Sequence, residues 1–228
     1  MCTVESEIRG ELLRLADPAY KKFQCALMPT VDPDTVIGVR MPVLRRFSKQ
    51  CAGETKRKAF FACLPHRYYE ENNLHGILIS GMKDYTEAVS ALDIFLPHVD
   101  NWATCDLIRP AVFRTYPHTL PEHIMRWMQS PHPYTVRFAM EMLMVHYLDG
   151  HFDAAWPRMV GEYRSEEYYI RMMQAWYFSA ALAVRWEEIL PYIAEKRLSP
   201  WVHAMTVRKA CESFRIPEEH KNILRTLR

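Results

Sequence analysis

The sequence predicts an all-α fold, a right-handed α-α superhelix of helical pairs, and three observations carry that expectation. Apolar residues recur with the 3.6-residue period of a helix, and no run alternates with period two. The prolines gather where apolar runs stop, as at Pro29, Pro33, Pro97, Pro110, Pro117, Pro121, Pro131, Pro133, Pro157 and Pro191, and read as punctuation between helices. Glycine is scarce, and the sole hairpin-type pair, Asp149-Gly150, falls between two helical patterns, which argues against a sheet.

Taken in order, amphipathic runs lie at about 5–16, 18–28, 40–52, 55–64, 68–81, 84–96, 101–115, 120–129, 133–148, 152–163, 166–183, 186–195, 199–213 and 217–227. After the second run, Pro29-Thr30-Val31-Asp32-Pro33-Asp34 breaks the pattern with two prolines. The run at 101–115 is opened by Asp100 or Asn101, either of which can accept from the first free N–H groups of a helix. Pro131 and Pro133 fix the entry to the run at 133–148. Loops of mostly two to six residues suit antiparallel neighbours. With 49% hydrophobic and 25% charged residues, 228 residues suffice for one domain with a core, expected to span 1–228.

Composition also excludes function classes. No apolar stretch reaches the roughly 18 residues that span a bilayer, and the opening Met1-Cys2-Thr3-Val4-Glu5 has neither a basic nor an apolar leader segment, so a cytoplasmic protein is expected, nucleoid-associated in a bacterium. Cys2, Cys25, Cys51, Cys63, Cys105 and Cys211 stand far apart without a Cys-x-x-Cys pair and read as small reduced core residues. The histidines show no His-x-x-x-His or His-Glu-x-x-His spacing, so metal ligation is not expected. A net charge of +2 is too mild to mark a nucleic-acid binder by itself.

Internal similarity says more than totals. Thr135-Val136-Arg137 recurs as Thr206-Val207-Arg208, and Tyr168-Tyr169-Ile170-Arg171 echoes Tyr134-Thr135-Val136-Arg137. The arginines stand 34 and 37 residues apart, close to the helical-pair repeats of the HEAT and TPR classes, and each is expected near the start of a pair's second helix. Second helices line the concave face of a solenoid, so the three arginines predict a HEAT-like repeat with a basic groove.

Three segments carry candidate chemistry, one of them Pro131-His132-Pro133-Tyr134-Thr135-Val136-Arg137-Phe138-Ala139-Met140, in which two prolines fix the entry to a helix and Arg137 falls in its first turn. In Asp100-Asn101-Trp102-Ala103-Thr104-Cys105-Asp106, Trp102 and Asp106 fall one turn apart on one face, and a carboxylate on an otherwise apolar face needs a partner or a role. In Tyr168-Tyr169-Ile170-Arg171-Met172-Met173-Gln174-Ala175-Trp176, Arg171 and Trp176 are five residues apart and do not share a face closely. Either indole, alone, is as well explained by packing.

Gly38-Val39-Arg40-Met41-Pro42-Val43-Leu44-Arg45-Arg46, Trp102-x-x-x-Asp106, Tyr134-Thr135-Val136-Arg137, the Tyr169-to-Trp176 segment and Arg208-Lys209-Ala210-Cys211-Glu212-Ser213-Phe214-Arg215-Ile216 resemble, in order and spacing, the HEAT-like DNA alkylation repair family, from about residue 18 to the C-terminus. The resemblance implies a glycosylase that removes 3- or 7-alkylated purines from double-stranded DNA without metal or cofactor and holds the damaged nucleotide by its backbone rather than by turning out the base; a monomer is expected because a capped solenoid has no intrinsic requirement to associate. It implies a catalytic carboxylate at Asp106, indoles at Trp102 and Trp176 against the deoxyribose, and a phosphate-binding arginine at Arg137. Tyr134, Arg171, Arg208 and Lys209 would extend the DNA contact. The proline-interrupted stretch at 29–34 departs from the family pattern and implies a shorter N-terminal wall of the groove.

Two other readings share the architecture. One is a non-catalytic HEAT-like protein that binds bent or branched DNA through the same cations. The other is a helical-repeat scaffold for a protein partner, for which a carboxylate flanked by two indoles has no evident use.

Overall fold

The computed structural model describes residues 3–228 and shows an all-α, helical-repeat fold, with no strand among the described residues. The chain divides into two compact units, Met1–Tyr116 and Pro117–Arg228. The first holds α1 (Thr3–Arg14), α2 (Pro18–Leu27), α3 (Met41–Cys51), α4 (Glu54–Phe61), α5 (Tyr69–Ser80), α6 (Tyr85–Phe95) and α7 (Trp102–Leu107). The second holds α8 (Leu120–Met128), α9 (Pro133–His146), α10 (Ala155–Glu162), α11 (Tyr168–Val184), α12 (Trp186–Ala194), α13 (Pro200–Glu212) and α14 (Glu218–Thr226).

Every expected run contains a helix, with one correction. The run at 101–115 is not continuous: α7 stops at Leu107, and a 3-10 turn, Ala111–Thr115, follows. The cause is Pro110, which steers the residue before it out of helical conformation and brings no N–H of its own. Ile108 already stands extended, at φ −80° and ψ 106°.

In the first unit α5 is the central element, packed between α3 and α7 and touched by α4 and α6. Its polar residues are as buried as its apolar ones: Glu70, Glu71, Asn72, Asn73 and His75 all lie inside. Most are tied to a neighbouring element, while Asn72 donates only to the Tyr68 carbonyl at the start of its own helix. Glu70 accepts from the backbone N–H of Ile37 at 2.8 Å, Gly38 at 2.6 Å and Val39 at 3.1 Å, and so gathers the loop that leads into α3. Burial pushes the Glu70 carboxyl pKa up, and the three N–H donors pull against it. Gly38 has φ +97°, and a Cβ there would stand 2.7 Å from Lys21 Cβ and 2.8 Å from the Asp17 carbonyl oxygen, so only glycine fits. The Gly38-Val39 motif is thus a turn closed by a buried carboxylate.

Glu71 accepts from Arg9 Nε at 2.7 Å and from its own helix start at Tyr68 N–H, 3.0 Å. Arg9 also pairs with Glu5 at 3.0 Å. His66 and His75 share a 2.9 Å ring-to-ring hydrogen bond, and His75 is stacked between Phe61 and Phe95. Burial drives the His66 pKa down to about 4 and that of His75 well below its ordinary value.

In the second unit α9, α11 and α13 lie side by side, with α8 against α9, α10 and α12 against α11, and α14 against α13. Phe138, Met140, Met142, Phe178 and Ala181 are fully buried. Gly161 of α10 lets Phe178 Cζ and Leu198 Cδ2 approach to within 3.2 Å of where a Cβ would stand. Gln174 Nε2 donates to the Val160 and Tyr163 carbonyls at 2.7 and 2.9 Å and so ties α10 to α11.

The described cysteines carry no disulfide. Cys51 and Cys105 are core residues as expected, but Cys25, Cys63 and Cys211 are half-buried, and Cys63 lies beyond the end of α4. Cys2 lies outside the described residues.

Candidate nucleic-acid interface

Asn101 is the cap that opens α7, its Oδ1 accepting from Thr104 N–H at 2.8 Å. The same side chain donates to Thr104 Oγ1 at 3.0 Å, and Thr104 Oγ1 donates to Asn73 Oδ1 of α5 at 2.8 Å. A helix of six residues has too few internal bonds to hold itself, so this buried chain of polar groups sets its position. Trp102 and Asp106 then project from α7 one turn apart, both half-buried. Trp102 packs against Met28, Val31, Val36 and Tyr69, so the indole is anchored at its base and partly open. The expected pairing of indole and carboxylate on one face of one helix is present.

In the second unit Tyr134, Tyr168 and Trp201 stand near the starts of α9, α11 and α13 and form a continuous line of rings. Centroids are 5.7 Å apart for Tyr134 and Tyr169, 5.1 Å for Tyr169 and Tyr168, and 5.8 Å for Tyr168 and Trp201. Arg171 lies over the Trp201 ring at 4.7 Å and pairs with Glu166 at 2.8 Å, while its Nε is buried without an acceptor. Trp176 is half-buried further along α11.

The three arginines of the repeat do not occupy equivalent places. Arg137 is the fifth residue of α9 and Arg171 the fourth of α11, but Arg208 is the ninth of α13 and not near its start. The reason is that α13 begins early, at Pro200, whose fixed φ suits a first helical position. Arg137 is only 4% exposed and donates from Nη1 to the Tyr169 carbonyl at 2.9 Å, which joins α9 to α11. Arg208 is exposed and paired with Glu212 at 3.0 Å, and Lys209 is half-buried.

Glu5, His66 and Glu71 offer three ligand atoms within 4.8 Å of one another. The Arg9 guanidinium already bonds both carboxylates, so the positive charge this cluster calls for is supplied by the chain itself. No helix of the described residues is long and apolar enough to cross a membrane.

Sequence reasoning missed the Tyr168–Trp201 part of the aromatic line, because the two residues lie on different helices and share no motif. It also missed Glu70, for which the Gly38-Val39 turn was the available signal: a loop with three successive inward N–H groups requires an acceptor.

These features define a helical-repeat protein whose first unit carries an indole and a carboxylate on α7 and whose second unit carries arginines and a line of aromatic rings on α9, α11 and α13. The family model described as DNA alkylation repair enzyme matches residues 8–214, and the chain belongs to that family. Membership supports an enzymatic role in DNA repair, with DNA as partner. No curated protein matches the chain.

Proposed function

We propose that the chain is a monofunctional DNA glycosylase that hydrolyses the N-glycosidic bond of cationic 3- or 7-alkylated purines in duplex DNA. The observation that carries this reading is the Trp102 and Asp106 pair on α7, one turn apart and held by the Asn73, Thr104 and Asn101 network. An alkylated purine carries positive charge on its ring and leaves readily with the bonding electron pair. The deoxyribose left behind becomes an oxocarbenium-like cation. A preorganised carboxylate stabilises that cation far better than water does, and orients the water whose oxygen bonds to C1′ while its proton passes to solvent.

In this reading Asp106 is the electrostatic catalyst, and Trp102 and Trp176 pack on the sugar. Arg171, Arg208, Lys209 and Tyr134 serve the phosphodiester backbone. Arg137 would have to meet a phosphate through the little of its surface that is exposed, and its bond to the Tyr169 carbonyl also suits it to positioning the start of α11. A single HEAT-like domain over residues 1–228, acting as a monomer without a cofactor, completes the proposal. The second reading is a non-catalytic DNA-binding member of the same family, and it is favoured by the proline-interrupted stretch, where α2 ends at Leu27 and only the 3-10 turn Pro33–Thr35 precedes α3.

Single-turnover release of 7-methylguanine and 3-methyladenine from alkylated duplex separates the two. The glycosylase reading expects release by the wild type and a fall of about 10²–10³-fold in Asp106→Asn, with binding to undamaged duplex retained. Wild-type protein that binds duplex but releases no base above background leaves the non-catalytic reading.

A further inference from the structure

A second basic feature lies in the first unit, and none of the residues assigned above lines it. Arg45 and Lys49 stand one turn apart on α3, Arg57 lies on α4 and Arg109 just beyond α7, and together with the hydroxyls of Ser48 and Ser80 they line a cleft of about 440 Å³. No Asp or Glu lines it. Arg45 and Lys49, both exposed, form no ion pair with a described residue. Arg57 reaches a carboxylate through one Nη only, Glu87 at 3.3 Å, and its buried Nε has no acceptor.

Local helix electrostatics account for one of these cations and not for the set. Lys49 sits in the last turn of α3, where a helix dipole favours positive charge. Arg45 is a turn earlier, and Arg57 is in the first half of α4, where the dipole opposes a cation. Gathering like charges around one cleft is unfavourable unless an anion shares it. The Ser48 and Ser80 hydroxyls donate to the Arg45 and Gly76 carbonyls, so the donors left to a ligand are those of the cations, and a phosphate offers converging cations more oxygens than a carboxylate does.

We propose that this cleft is a separate phosphate-binding site, and that the phosphate it takes is one of the backbone of duplex DNA, gripped apart from the damaged nucleotide. The assignment to DNA rests on the DNA-binding part of the proposed function and not on base excision. Because the cations contact phosphate and no base edge, the site adds affinity without sequence preference.

The test compares wild type with Arg45→Ala/Lys49→Ala, both exposed positions whose loss should leave the thermal melt unchanged. Binding to an undamaged 25-base-pair duplex is followed across a potassium chloride series. Losing one phosphate contact should reduce the slope of log K against log salt by about 0.9, and affinity near 0.1 M salt should drop on the order of tenfold. Single-turnover base release at saturating enzyme should not change. An unaltered slope overturns the site even if excision is robust, whereas a reduced slope in a protein that excises nothing supports the site and removes the glycosylase reading. In a parallel arm, inorganic phosphate alone is titrated against the melt of both proteins. Stabilisation of wild type but not of the variant, with the DNA slope unaltered, assigns the cleft to free phosphate and overturns the DNA proposal.

Discussion

The central helices of the two units, α5 and α11, are built on opposite terms. Helix α5 buries Glu70, Glu71, Asn72, Asn73 and His75, and uses Glu70 to hold a loop, Glu71 an arginine and Asn73 the start of α7. Helix α11 buries mainly Ile170, Met173, Ala175, Phe178, Ala181 and Leu182, with Gln174 as its principal internal polar tie. Polar ties are directional, and their loss leaves buried groups unpaired, whereas apolar packing degrades gradually. The first unit should therefore fail sharply when one buried group is removed or protonated. The second should tolerate most single changes.

The largest test of that contrast is Glu70→Ala. It strands three backbone N–H groups, and a loss of about 3–5 kcal/mol is expected in urea unfolding, enough to unfold a marginal protein. Glu70→Gln keeps an acceptor and should cost less than half as much. An equal cost for the two would mean that α5 is held by packing after all.

Acidification comes next. His66 is neutral inside and its pKa of about 4 lies below the unfolded value near 6.5, so between those pH values the unfolded chain binds more protons and stability falls as pH falls. The slope is about 1.4 kcal/mol per pH unit for each histidine fully engaged, and His75, also shifted down, adds in the same direction. Hydrogen exchange at pH 5 should show α5 amides losing protection before those of α11. Simultaneous loss in both helices would refute the regional difference.

A Gly38→Ala change should cost about 2 kcal/mol, because the left-handed φ and the crowding against Lys21 and the Asp17 carbonyl act together. Unfolding midpoints read it directly. The smallest effect is expected from Arg171→Gln in the second unit. Losing the cation over Trp201 should change stability by about 0.5–1 kcal/mol while reducing the salt dependence of duplex binding. A stability loss as large as that of Glu70→Ala would show that the aromatic line is structural.

What was legible in the sequence follows from what is local. Helix positions were readable because the 3.6-residue period and the proline stops are properties of short segments. The Trp102 and Asp106 pair was readable because an Asn cap and a four-residue spacing define a face without reference to anything distant. Arg208 was misplaced because motif spacing counts residues along the chain and not from the start of a helix. The cleft lined by Arg45, Lys49, Arg57 and Arg109 was invisible because its four cations come from two helices and the stretch that follows α7.

By itself the sequence determined the helical class, the order of the helices and the family-like set of candidate residues, since periodicity, capping and proline chemistry act within a few residues. The tertiary structure alone decided that Arg137 is buried, that Glu70 closes the Gly38 turn and that α5 carries its polar residues inward. Burial is a property of the neighbours a residue acquires, and a polar side chain on a helix reads as surface until those neighbours are in place.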